Sequence, residues 1–186
     1  LNYLEGIFSF AILDNKKNEI FLARDSFGIK PLYILFDDLG LVFASEIRAL
    51  LNLISHNTKI NFNALIKYCA YLWCPGSDTP IQNIKKVNPG NAVIISDGKI
   101  KSEWTWYRAT HERKLPLIQD SKKTIEKKLL SKLRDAVHKQ MVSDVPLGTF
   151  LSGGIDSTAI SKFASELNPE IQCFTINTKN INERGV

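Results

Sequence analysis

Several absences bound this 186-residue chain before any motif is read. No apolar run approaches the ~20 residues that a membrane-spanning helix needs; the longest resemble residues 10–13. The opening Leu1-Asn2-Tyr3-Leu4-Glu5 has neither the basic start nor the apolar core of a secretory signal. Cysteine is scarce. Cys69, Cys74 and Cys173 make no disulfide framework, which fits a reducing cytoplasm. Cys69 and Cys74 have a spacing seen in some zinc sites, but no further Cys or His stands near them, so two core thiols are expected. His56, His111 and His138 have no metal-ligand neighbours in sequence and read as surface or packing residues.

What is present is ordinary for a soluble globular protein: 44% hydrophobic and 23% charged residues, long enough for one large or two small domains. The net charge of +5 is spread along the chain. Lys122-Lys123 and Lys127-Lys128 fall inside a helical pattern and are expected on its solvated face, not in a nucleic-acid or membrane patch. The chain opens on Leu and stops at Asn182-Glu183-Arg184-Gly185-Val186, just after a strand-like run, so both ends look cut.

Residues 1–106 read as strands and hairpins. Residues 6–13 suggest a strand buried on both faces, and 19–24 its return after the turn Asp14-Asn15-Lys16-Lys17-Asn18. A loop, Asp25-Ser26-Phe27-Gly28-Ile29-Lys30-Pro31, precedes a second hairpin from 32–36 and 41–45. Short helices are expected over 46–53 and, capped by Asn61, over 62–72. A long punctuated loop spans 73–80, and strands 92–96 and 99–106 flank Asp97-Gly98. Residues 107–120 are polar and aperiodic and read as a linker. From Ser121 the apolar positions Ile125, Leu129, Leu133, Val137 and Met141 recur every four residues, one face of a helix. Strand 147–151, helix 157–167 and strand 171–176 then make a βαβ unit within a domain spanning 121–186.

The chemistry sits in Ser152-Gly153-Gly154-Ile155-Asp156-Ser157-Thr158. A sharp strand-to-helix turn on two glycines lets the backbone approach an anion, and the first-turn N–H groups of the helix point at it. Ser152, Ser157 and Thr158 add hydroxyls. Asp156 would repel bare phosphate but makes sense with Mg²⁺ between its carboxylate and the phosphate oxygens. The loop lacks the lysine of the G-x-x-x-x-G-K-[ST] phosphate loop, which disfavours kinase or nucleotide-hydrolase chemistry.

Ser-Gly-Gly-x-Asp-Ser after a strand resembles the signature of the N-type ATP pyrophosphatases. The context narrows this. Val142-Ser143-Asp144-Val145-Pro146-Leu147-Gly148-Thr149-Phe150-Leu151 is similar to the glutamine-hydrolysing asparagine synthetase family. So are Ala23-Arg24-Asp25-Ser26-Phe27-Gly28-Ile29-Lys30-Pro31-Leu32-Tyr33, Phe43-Ala44-Ser45-Glu46-Ile47-Arg48-Ala49-Leu50, Val87-Asn88-Pro89-Gly90 and Glu5-Gly6-Ile7-Phe8-Ser9-Phe10-Ala11. The resemblance runs from Leu1 to about Ile176, with the motifs in family order.

It implies an α+β and α/β chain: the later half of a class II glutamine amidotransferase αββα sandwich, then the start of an adenine nucleotide alpha hydrolase-like α/β domain. It further implies that ATP and aspartate give β-aspartyl-AMP and pyrophosphate, and that glutamine-derived ammonia turns the adenylate into asparagine and AMP. By position, Ser152, Gly153, Gly154, Asp156 and Ser157 would hold pyrophosphate and its Mg²⁺, alongside Leu151; Phe150 and Ile176 would line the adenosine pocket. The family's nucleophilic cysteine and glutamine-binding residues correspond to positions ahead of Leu1, so no glutaminase residue is expected here and the fragment is expected to be inactive alone. The Arg24-Asp25 loop reads as scaffold. ATP, aspartate and glutamine are the expected partners, with no nucleic acid or membrane, a possible homodimer at full length and a cytoplasmic setting. Two alternatives stay open: a relative acting on another carboxylate, β-lactam-forming or glycan-amidating, and a non-catalytic truncated remnant.

Overall fold

The structure, a computed structural model, describes residues 1–37, 40–53, 59–108 and 118–176. Two units divide the chain, Leu1–Leu115 and Pro116–Val186. Most of the expected linker, residues 109–117, lies outside the described residues, as do His56, His111 and residues 177–186.

In the first unit the elements run β1 (Ser9–Asp14), β2 (Glu19–Arg24), β3 (Tyr33–Asp37), β4 (Gly40–Ala44), α1 (Ile47–Leu51), α2 (Phe62–Tyr71), β5 (Ile84–Lys86), β6 (Asn91–Ser96) and β7 (Lys99–Thr105). One antiparallel sheet has the order β1-β2-β6-β7, the other β4-β3-β5. The β6–β7 hairpin turns on Asp97 and Gly98, both at positive φ (51° and 70°), as a two-residue turn of matching twist requires. Alternation along the strands sends Leu22 and Val93, partners in register, into a core shared with Leu32, Ile34, Val87 and Ile95. The β4-β3-β5 sheet buries its other side, Leu35 and Ile84, against Leu50 of α1.

Three features depart from expectation. The first strand has only β2 beside it among the described residues, and Ile12 and Leu13, on opposite faces, are 54% and 59% exposed instead of buried, because neither face there is covered by a packed layer. Strand β5 falls where no strand is expected; three residues carry no period, and it exists because Tyr33–Leu35 pairs with it. Cys69 is exposed and Cys74 half-buried, not core thiols. Helix α2 turns only Ala64 inward, and Cys69, five residues on, lies far round the helix from it.

Arg24 and Asp25 tie the strand ends together. The Arg24 guanidinium donates to three main-chain carbonyls: Lys30 at 2.7 Å, Gly28 at 2.6 Å and Val87 at 2.6 Å. The Asp25 carboxylate, 1% exposed, accepts from the amides of Phe27 (3.1 Å), Ile29 (3.0 Å) and Lys30 (2.9 Å). Its own main chain bonds Phe8, Gly28 and Gly90, while Trp106 Nε1 donates to the Arg24 carbonyl. Gly28 cannot carry a side chain there. Its φ is +65°, and a Cβ would meet Pro89 at 2.8 Å and Arg24 at 3.0 Å.

In the second unit α3 (Lys122–Lys139), β8 (Gly148–Phe150), α4 (Ile155–Leu167) and β9 (Gln172–Phe174) follow. Ser121 caps α3 by accepting from the Thr124 amide at 3.3 Å, as expected. The two lysine pairs are on its exposed side. Strands β8 and β9 are parallel and joined through α4, the expected βαβ connection. Arg134 on α3 pairs with Glu166 on α4 at 2.8 Å and lies 5.0 Å over the Phe163 ring. Beside it, His138 Nε2 sits 3.0 Å from the Phe163 carbonyl.

Burial alone would raise the Asp25 pKa, but the amides of Lys30, Ile29, Phe27 and Gly28 outweigh it and hold the carboxyl below the ordinary value. A lowered folded pKa gives stability that is complete above the unfolded value of about 3.9 and is lost as pH falls through the folded value. Asp25→Ala is therefore expected to cost about 3–5 kcal/mol at pH 7, since it leaves the amides of Phe27, Ile29 and Lys30 without their acceptor and removes the negative charge beside buried Arg24. Urea unfolding followed from pH 7 down to pH 2 should show wild type losing stability below about pH 4, with that part of the slope missing in Asp25→Asn.

Candidate functional site

Strand β8 ends at Phe150, and after four intervening residues α4 begins at Ile155; the loop between them stands at the carboxyl ends of two parallel strands, the usual ligand side of such a sheet. Gly153 has φ +80°, and a Cβ there would meet nothing within 4 Å, so conformation and not crowding selects glycine. Gly154 is the N-cap of α4 at φ −76° and ψ 159°, with no side chain to occupy the cap. The amides of Ile155, Asp156 and Ser157 thus have no acceptor within their own helix.

Hydroxyls lock the turn from within. Ser157 Oγ donates to the Gly154 carbonyl at 3.1 Å, lies 3.0 Å from Ser152 Oγ and accepts from the Ser152 amide at 3.3 Å. Thr158 Oγ1 donates to the same Gly154 carbonyl at 2.8 Å. The loop shape is therefore held by its own side chains. Asp156 is the acidic residue of the first helical turn, exposed beside the positive end of the helix.

Ser152, Gly153, Gly154, Asp156 and Ser157 all lie in this turn and the first turn of α4. Phe150 and Ile176 stand on the same side of the unit but open to solvent, 83% and 90% exposed. Phe150 pairs in register with Phe174, whose ring centroid is 6.4 Å away, and Ile176 follows two residues after β9. An exposed aromatic and an exposed aliphatic side chain beside an anion-shaped turn suit a flat ring joined to phosphates. Among the described residues no three His, Cys, Asp or Glu groups cluster to hold a metal by themselves. Asp156 alone suits an ion whose other ligands are phosphate oxygens and water, which is how Mg²⁺ is commonly bound.

Gly148 carries a constraint that sequence reasoning misses. A Cβ there would meet the Phe174 ring at 2.6 Å and the Gln172 carbonyl at 3.1 Å, so glycine lets β9 lie flat against β8. A glycine inside a strand run is the available signal.

The family model for the glutamine amidotransferase domain matches residues 1–107, and that for asparagine synthase matches residues 128–186. A putative glutamine-hydrolysing asparagine synthetase of Mycobacterium bovis is 35% identical over 178 residues, covering 94% of this chain and 27% of that protein. Glutamine-hydrolysing asparagine synthetase 1 of Bacillus subtilis is 34% identical over 174 residues, 93% of this chain and 27% of its own length. A putative glutamine-hydrolysing asparagine synthetase 2 of Methanocaldococcus jannaschii is 37% identical over 161 residues, 83% and 30% of the two chains. The chain thus spans between a quarter and a third of the length of these relatives.

Gly148→Ala should destabilise the second unit by about 1–3 kcal/mol through overpacking. A double-mutant cycle with Phe174→Ala, read by denaturant titration, should recover part of that loss, because the ring is the nearer obstacle. An unchanged midpoint for Gly148→Ala would show that the ring moves aside freely.

Proposed function

The chain belongs to the glutamine-hydrolysing asparagine synthetase family, and on that premise we propose that its 152–158 turn binds the pyrophosphate of ATP while a carboxylate is adenylated. The observation that carries this is the turn itself: a positive-φ glycine, an N-cap without a side chain, hydroxyl-held geometry and a lone acid in the first turn of α4. Under this reading the first unit is the later part of a class II amidotransferase αββα sandwich and the second the start of an ATP-pyrophosphatase α/β domain. The acceptor is aspartate and glutamine the nitrogen source, in a cytoplasmic enzyme that can pair as a homodimer.

Each residue has a part. The amides of the first turn of α4 and the Gly153 region receive phosphate oxygens without side-chain obstruction. Ser152 and Ser157 turn their hydroxyls from each other toward the anion when it is bound, and Leu151 carries the strand into the turn. Asp156 would hold Mg²⁺, whose chemistry there would be to offset negative charge on phosphate oxygens. Phe150 and Ile176 flank the adenine ring. No residue of this chain is assigned to glutamine hydrolysis, so adenylation is the step these residues serve.

Aspartate-dependent exchange of pyrophosphate into ATP, measured in the protein at the length of its relatives, tests the assignment. Asp156→Ala should lower exchange at least ~100-fold, the scale expected for removing a preorganised electrostatic partner. Exchange unchanged by Asp156→Ala would remove Asp156 from the site. Exchange driven by another carboxylate and not by aspartate would keep the adenylation reading and replace the acceptor.

A further inference from the structure

We propose that Thr149, Ser161 and Cys173 form a polar bridge that sets the depth of α4 against the two strands, and thereby where the 152–158 turn presents its amides. They act as positioning residues for the site proposed above, and the inference rests on that reading. Thr149 is the middle residue of β8 and stands in register with Cys173, the middle residue of β9. Its Oγ1 accepts a hydrogen bond from Ser161 Oγ at 2.9 Å and lies 3.3 Å from Cys173 Sγ. One hydroxyl has a single donor hydrogen and two acceptor sites, enough for both contacts.

Ser161 differs from the other hydroxyl residues of α4. Ser157 and Thr158 bond the Gly154 carbonyl, Ser157 also meets Ser152 in the adjoining turn, and Ser165 bonds the Lys162 carbonyl, all contacts within five residues. Ser161 instead reaches out of its helix, and it is only 8% exposed. A serine in a helix interior has a weaker intrinsic preference for that conformation than alanine, and burying its hydroxyl costs more unless a partner meets it. Thr149 is that partner.

Apolar packing does not enclose α4. An open groove of about 320 Å³ runs along α3, α4 and β8, lined by Leu133, Val137, Met141, Ile160 and Ala164 along with Thr149 itself. On that side dispersion has no facing atoms with which to fix the depth of the helix, which leaves it freer to shift there. The bridge is directional and removes that freedom. From Ser161 the helix is continuous back to Ile155, about 9 Å at 1.5 Å per residue, and it carries the constraint rigidly to the turn.

The test uses the protein at the length of its relatives, titrated calorimetrically with Mg²⁺-pyrophosphate and separately with adenosine, with amide hydrogen exchange read at residues 158–162, the first amides bonded within α4. Thr149→Val keeps the shape and removes the shared hydroxyl. It should weaken pyrophosphate binding about threefold to tenfold, the scale of one neutral hydrogen bond, and speed exchange at 158–162. Adenosine binding should change less than about twofold, a difference that general unfolding would not produce. Thr149→Ser should restore both readouts. If Thr149→Val does not fold, Ser161→Ala removes the donor alone and is read in the same way. Unchanged pyrophosphate affinity and exchange in these variants, or equal losses for both ligands, overturn the bridge. Wild type failing to bind pyrophosphate overturns the proposed function instead; exchange at 158–162 then still decides whether the bridge positions α4.

Discussion

The first unit depends on a buried charge problem solved by main chain alone. Arg24 and Asp25 are neighbours in sequence, yet each is satisfied by peptide groups of the loops around them: carbonyls of Gly28, Lys30 and Val87 for the cation, amides of Phe27, Ile29 and Lys30 for the anion. Burial draws the Arg24 pKa down, opposed by the nearby Asp25 charge, but a guanidinium remains protonated throughout. These peptide groups must sit where the charges need them, which restricts the loop 25–31 and the turn 87–90 together. The positive φ of Gly28 and Gly90 follows from the same closeness: a Cβ on Gly90 would meet the Tyr107 carbonyl at 2.5 Å.

The second unit has no comparable buried anchor among its described residues. None of those in α3 is buried, and α4 buries Ser161, Phe163 and Ala164. Its order comes from directional contacts at the edges of an apolar gap: the Arg134–Glu166 pair, the His138 contact with the Phe163 carbonyl and the Thr149–Ser161 bond. An exposed ion pair contributes little by itself, of order 0–1 kcal/mol. Several such contacts fix orientation more than they add stability, which is what a ligand-facing turn needs.

Legibility in the sequence follows the range of the cause. The Ser121 and Asn61 caps, the Asp97-Gly98 hairpin and the sharp turn at 152–158 are set by residues within a few positions, and local pattern is enough to find them. The Arg24-Asp25 loop stands out by its motif, but its partners Val87 and Gly90 are more than 60 residues away, so sequence identifies it as scaffold without saying what it holds. Strand β5 is three residues defined by a neighbour, and β1 leaves Ile12 and Leu13 exposed because no layer among the described residues covers them; neither fact is written in local alternation. Ser161 looks unremarkable in sequence, and Gly148 shows only as a glycine inside a strand run, because what makes them necessary, the Thr149 hydroxyl and the Phe174 ring, comes from other elements.

The two units use one recognition principle in opposite ways. Around Asp25 a short loop gathers peptide amides onto a carboxylate that never leaves, and the lowered pKa reflects how strongly amides in that arrangement favour negative charge. At the 152–158 turn the first amides of α4 have no acceptor in their own helix, and under the proposed function they meet an anion that must arrive and depart. The difference lies in what completes each arrangement. Asp25 is covalently part of its own loop, so loop and anion form together and are buried together. The second turn must keep its shape without an anion, and hydroxyls of Ser152, Ser157 and Thr158 supply the internal bonds that do so. A permanent anion can shape its own site; an exchangeable one requires a site shaped beforehand, and under the proposed function that is the part the serine and threonine hydroxyls of the turn play.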